Sequence, residues 1–100
     1  MAEKLLHSYE TIFIIDTGLD EEATKAVVEK FTGLIAANGT VGTVDEWGKR
    51  RLAYEINDKT EGYYVLVEFT SDPDFPKELD RQFRINDNIL RTIIIRKDEE

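Results

Sequence analysis

Three adjacent cations, Lys49-Arg50-Arg51, lie between two large aromatics in the run Trp47-Gly48-Lys49-Arg50-Arg51-Leu52-Ala53-Tyr54-Glu55-Ile56. The chain around them is acidic, with 21 Asp and Glu against 13 Lys and Arg and a formal net charge of -8. Like charges in a row repel one another in an ordered segment, so the run suggests a phosphate-bearing or acidic partner. The plain alternative is a solvated turn between two strands, with Arg50 or Arg51 paired to Asp45, Glu46 or Glu55. A second cationic block follows late in the chain: Arg81, Arg84, Arg91, Arg96 and Lys97. If the fold joins the two blocks, they form one basic patch on an acidic body. The plain alternative for Arg84 is a helix C-terminus, where a cation is favoured anyway.

Other residues that carry chemistry are poorly arranged for catalysis. His7, the single histidine, lies at the chain's edge and is expected to be exposed. Asp45 and Glu46 point to opposite faces of a strand and cannot act jointly on one substrate. Asp20-Glu21-Glu22 fits the start of a helix, where the dipole favours anions. There is no cysteine, and no His spacing suggests zinc. Gly39-Thr40-Val41-Gly42 lacks the Lys-Ser/Thr end of a phosphate loop. Acylphosphatases bind phosphate in the loop after a first strand, but here that loop holds Asp16 and Asp20, which repel phosphate. The sequence therefore predicts no enzyme, no metal, no cofactor and no small-molecule substrate.

The 100 residues suit one domain, expected over 1–97, followed by a short acidic tail at 98–100. No signal peptide is visible at the N-terminus, and no apolar run approaches the ~20 residues of a membrane span. No membrane partner is expected.

Hydrophobic periodicity sets out the elements that must position the cations. Ser8 to Ile15 is rich in β-formers. Asp20 is a helix cap, and Ala23, Val27, Phe31, Leu34 and Ile35 recur at helical spacing. Asn38-Gly39 is a helix stop. Val41 to Trp47 is a second strand, which Leu52 to Ile56 either continues past the cations or leaves by a bend. Asn57 to Gly62 forms a turn, and Tyr63 to Thr70 is a third strand. Asp72-Pro73-Asp74-Phe75-Pro76 opens a second helix with the stripe Phe75, Leu79 and Phe83. Asn86 and Asp87 form a tight exit, and Ile89 to Arg96 is the last strand. Strand, helix, strand, strand, helix, strand, with right-handed crossovers, predicts a ferredoxin-like α+β sandwich. It has a four-stranded antiparallel sheet with two helices on one face.

Alternation then predicts what the uncovered face carries. Tyr63, Val65, Val67 and Phe69 should meet the helices, as should Thr11, Phe13 and Ile15. Ile12, Ile14, Tyr64, Leu66, Ile93 and Ile95 should face outward beside Glu10, Glu68 and Arg91. A contiguous apolar patch of this kind marks a partner surface, either for another protein or for a second copy of the chain. Base stacking across the sheet is disfavoured. Gly62 to Phe69 places Val65 and Glu68 where the RNA-recognition motif, found on the same fold, requires aromatics.

Four segments carry a resemblance to a known family: Tyr9-Glu10, Trp47 to Ile56, Gly62-Tyr63-Tyr64, and Arg84-Ile85-Asn86-Asp87-Asn88-Ile89-Leu90-Arg91. Together the chain resembles, from about Ser8 to Lys97, the bacterial small-subunit ribosomal proteins conventionally counted sixth. The resemblance implies a ferredoxin-like fold without catalysis, in the cytoplasm and associated with the ribosome. It also implies binding to the central domain of small-subunit ribosomal RNA beside a small basic ribosomal protein, counted eighteenth. By charge, Lys49, Arg50, Arg51, Arg84 and Arg91 are the expected RNA contacts. Ile12, Ile14, Tyr64, Leu66 and Ile93 are the expected protein contacts. Trp47 and Tyr54 are expected to be mainly structural, with the interface as their alternative place. The competing reading from residues alone is a small-molecule-sensing regulatory domain that pairs into a homodimer through its sheet.

Overall fold

The structure, a computed structural model, describes residues 6–56 and 59–97. Residues 98–100 of the acidic tail, and Asn57-Asp58 of the expected turn, lie outside the described residues. The order is β1 (His7–Asp16), α1 (Glu21–Asn38), β2 (Gly39–Ile56), β3 (Lys59–Ser71), α2 (Phe75–Arg84) and β4 (Ile89–Arg96). The four strands form one antiparallel sheet in the order β2-β3-β1-β4. Both helices cover one face, so the architecture is the ferredoxin-like sandwich that the periodicity predicts.

Local chemistry explains the element ends. The Asp20 carboxylate accepts from Ala23 N–H at 2.7 Å and caps α1, filling one orphan donor of the first turn. For α2 the cap comes from two residues further out. The Asp72 carboxylate accepts from Asp74 N–H and Phe75 N–H, both at 3.0 Å. After α2, the Asn86 side chain accepts from Asn88 N–H at 2.8 Å and turns the chain into β4. Gly39 ends α1 where the sequence reading sets the stop, and its surroundings show why a glycine stands there. Its φ is -172°, ordinary extended backbone, and a Cβ there would meet Thr70 O at 2.3 Å. Close strand approach, and not helix termination, requires the glycine.

The core lies between sheet and helices. Phe13, Phe31 and Phe83 meet with ring centroids 4.4–5.6 Å apart. Val65, Val67 and Ile15 from the sheet, and Ile35 and Leu79 from the helices, close around them, all fully buried. Thr11 is also fully buried and satisfies its hydroxyl on Ile93 O at 3.0 Å. His7 is a correction to the sequence reading. It is buried, not exposed, because it opens β1 opposite Ser71 and sets its ring edge-on to Tyr9 at 6.3 Å.

The feature that shapes the molecule is β2. It runs unbroken through the three cations as an 18-residue strand, with register shifts at Val41/Val44, Glu46/Gly48 and Arg51/Ile56. Each shift adds twist. With the start of β3, its far end forms a two-stranded arm past the sheet, and the described residues extend 50 Å along the longest axis against 29 and 23 Å.

Candidate nucleic-acid and partner interface

The register fixes where the cations stand. Gly48 pairs with Tyr64, Tyr64 with Ile14, and Ile14 with Arg91. One row therefore crosses the uncovered face from the first cationic block to the second. Three inter-strand spacings separate its ends, roughly 14 Å, but the arm curls back over the row and narrows that gap. Tyr54, on the arm, lies under the Arg91 guanidinium at 5.6 Å from its ring centre, a cation–π contact.

A glycine permits the curl. At Gly62 a Cβ would meet Ile14 Cγ2 at 2.2 Å and Leu52 Cδ2 at 3.3 Å. Without a side chain at 62, Leu52 drops onto the sheet and is itself buried. Leu52, Tyr54 and Trp47 then form one wall of an apolar groove of about 230 Å³. Ile12, Ile14, Tyr64 and Ile93 form its floor, with Arg91 at the rim. Leu52 was missed by sequence reasoning. The signal was present in the alternation Arg50, Leu52, Tyr54 opposite a glycine.

Trp47 is set by the second register shift. Glu46 pairs with Val65 and Gly48 with Tyr64, so Trp47 is the extra residue of a bulge. Gly48 makes the bulge possible with a φ of +83°, a region costly for other L-residues. The indole N–H donates to the Asp45 carboxylate at 3.1 Å. The ring lies within 15° of parallel to Tyr64, with centroids 6.2 Å apart. On the other side of the strand, Tyr63 O–H donates to Glu46 at 2.8 Å. This bond, reinforced by burial and by the Glu46 and Glu21 charges, raises the phenol above its usual pKa.

Asp45 and Glu46 thus serve aromatic donors on opposite faces, as alternation predicts. They do not neutralise the run. Among the described residues, Lys49, Arg50 and Arg51 make no ion pair. The structure divides the three. Arg50 and Arg51 line a hollow with Trp47 and Tyr64. Lys49, opposite Tyr63, lines a separate hollow beside α1 with Glu21, Lys25 and Glu46.

Arg84 is placed differently again. It belongs to α2, on the covered side, and pairs with Asp80 at 2.8 Å while its side chain stays 77% exposed. It shares an end of the body with the arm. Arg50 pairs with Gly62 and Gly62 with Asp16, whose N–H donates to Asn88 O at 2.9 Å, just after α2. Asp16, Asp87 and Glu61 stand at that same end.

The candidate partner residues fall in one band. Ile12, Tyr64 and Leu66 are partly covered, and Ile93 and Ile95 are 47% and 49% exposed. Ile14 departs from the sequence expectation because Leu52 covers it, leaving it 8% exposed. Beyond the band the face turns acidic. Glu10 and Glu68 sit directly opposite each other, a destabilising pair for like charges. Lys97 reaches back to bridge them, in contact with Glu68 and 3.9 Å from Glu10. That hydrogen bond to Glu68, helped by both carboxylate charges, raises the Lys97 pKa. The face is therefore cationic at the arm, apolar in the middle and acidic at the far end. Among the described residues no cluster suits a metal ion, and no helix is long and apolar enough to cross a membrane.

Comparison with known proteins agrees with this architecture. The profile of the family described as Ribosomal protein S6 matches residues 8–96. The chain is 56% identical over 95 residues to small ribosomal subunit protein bS6 of Clostridium perfringens strain SM101, covering 94% of this chain and all of that protein. It is 57% identical over 91 residues to the protein of the same description from Clostridium botulinum strain Langeland, covering 90% and 97%. The crystal structure of 30S ribosomal protein S6 from Thermotoga maritima superimposes with a TM-score of 0.88 at 30% identity, covering 93% of this chain and 89% of that one.

Proposed function

Because the chain belongs to the ribosomal protein S6 family, structural proteins of the small ribosomal subunit and not enzymes, we propose that it binds the central domain of small-subunit ribosomal RNA together with the small basic ribosomal protein counted eighteenth. It would do so in the cytoplasm, where ribosomes assemble. Arg50, Arg51 and Arg91 at the arm end are the principal phosphate contacts, and Lys49 and Arg84 act at its margins. The band of Ile12, Tyr64, Leu66 and Ile93, with Ile14 beneath it, receives the partner protein. Glu10 and Glu68, two carboxylates against the single charge of Lys97, leave an anionic margin that suits a cationic companion.

The observation that supports this reading best is the pair of guanidiniums, Arg50 and Arg51, without ion pairs among the described residues at the lip of an apolar face. In a chain of net charge -8, unneutralised arginines placed together are held ready for an external anion. Phosphate contacts of this kind give register and affinity without reading base identity.

The test is a double charge reversal, Arg50→Glu with Arg51→Glu, in the partner-loaded protein. RNA affinity should fall. The slope of log affinity against log salt should shrink by about 1.4–1.8, since each of the two lost contacts removes roughly 0.7–0.9. Far-UV circular dichroism should stay unchanged, because both side chains are exposed. Unchanged affinity and unchanged slope would remove the pair from the RNA interface.

A further inference from the structure

We propose that Trp47 is a stacking plate for one unpaired RNA base, with Arg50 and Arg51 gripping the phosphates beside it. This rests on the RNA-binding reading above and adds a subsite to it. The indole is the only tryptophan in the chain and is 39% exposed although large and apolar. Its position is fixed twice, by the bulge that ejects it from the strand ladder and by its N–H bond to Asp45. A ring held in this way gains area on stacking without losing rotamer freedom.

The hollow beside it, about 500 Å³, is lined by Trp47, Tyr64, Arg50 and Arg51. It combines an aromatic surface with two cations that have no carboxylate partner among the described residues. Single-stranded nucleic acid uses this pairing of features, with bases on aromatic faces and phosphates on arginines. Charge decides against the protein partner as occupant. A basic protein would be repelled by Arg50 and Arg51, and the far end of the same face suits it better, since Glu10 and Glu68 carry one negative charge more than Lys97 neutralises. The base must also be unpaired, because a base inside a helix already has both faces covered. Among the described residues the hollow is lined by no carboxylate or amide side chain that could read a base edge, so stacking there tolerates any base.

The experiment uses the full chain at low salt and reads the fluorescence of its one tryptophan. Three probes are compared: a short single-stranded oligoadenylate, an RNA duplex, and inorganic polyphosphate, which carries charge without bases. Oligoadenylate should quench the emission. Polyphosphate and duplex should bind with little quenching. By anisotropy with labelled oligoadenylate, Trp47→Leu should weaken binding about tenfold, while Trp47→Phe recovers part of the loss. Polyphosphate affinity should be the same in both variants.

Equal oligoadenylate affinity in the wild type and Trp47→Leu overturns the stacking role. So does equal quenching by all three probes. If Arg50→Glu with Arg51→Glu abolishes binding of every probe while Trp47→Leu changes nothing, stacking fails and the phosphate reading survives. No oligoadenylate binding by the wild type also overturns the stacking role, and partner-dependent RNA binding then stands or falls on its own test.

Discussion

Replacing Gly62 with alanine should lift the arm. The added Cβ would lie 2.2 Å from Ile14 Cγ2 and 3.3 Å from Leu52 Cδ2. Carbon atoms rest at about 3.5–4.0 Å, so the first contact must open by more than about 1 Å. Ile14 has little room to retreat, since it sits in a central strand paired on both sides. Leu52 belongs to an edge strand that overhangs the sheet, so the arm moves. Overpacking of this size costs about 1–3 kcal/mol. The intrinsic gain of alanine over glycine in a strand returns roughly 0.5–1 kcal/mol. The net loss is then centred on about 1 kcal/mol, a fall of roughly 0.5 M in the urea midpoint for a small domain. Urea unfolding followed by Trp47 emission and by circular dichroism measures it. The decisive control is the same substitution in an Ile14→Ala background, where the offending methyl is gone. There Gly62→Ala should be neutral or mildly stabilising, leaving a coupling energy above about 1 kcal/mol between the two sites. Equal losses in both backgrounds, or no loss in the wild type, would refute the account of how the arm closes on the sheet.

Two further outcomes test neighbouring features. Gly48→Ala should cost about 1–2 kcal/mol in urea unfolding through backbone conformation alone, because its φ is +83° and no atom lies within 4 Å of the new Cβ; Gly48→Asn should cost less. Glu78 is held at a pKa of about 2, against 4.5 unperturbed, by its hydrogen bonds from Arg81 and Gln82. A lowered folded pKa contributes stability above the unfolded value, lost as pH falls towards the folded one. The difference in thermal midpoint between the wild type and Glu78→Gln should therefore be constant above about pH 5 and shrink between there and about pH 2, and a difference independent of pH would contradict the pairing.

The sheet's two faces were legible because one of them is buried. A strand with a dry side must alternate strictly, and Thr11, Phe13 and Ile15, then Val65, Val67 and Phe69, do so and are all buried. Asp20 was legible as a cap because an acceptor before a helix has one strong use. The arm was not. Its path depends on three register shifts in β2, and a shift changes which face a residue occupies without changing its type. Lys49, Arg50 and Arg51 read as one patch because adjacent cations look alike in a loop or a strand, while the ladder opposite Tyr63, Gly62 and Glu61 turns Lys49 towards α1 and leaves the arginines beside Trp47. Arg84 read as part of the same block, yet it stands in the helical layer paired to Asp80. The burial of Ile14 was hidden for a related reason, since it comes from a residue 38 positions away that reaches it only because position 62 has no side chain.

The placement of β4 has a consequence for synthesis. The last strand supplies one of the two neighbours of β1, the first, so the hydroxyl of Thr11 finds its acceptor on Ile93 across 82 residues of sequence. Until β4 has left the ribosome, a nascent chain has a naked β1 edge and a helical layer without its last support. Exposed edges of this sort invite pairing with other chains. Completion of the fold thus waits on the emergence of β4, and a chain stalled before Ile89 would be a substrate for chaperones or proteases before it could join any assembly.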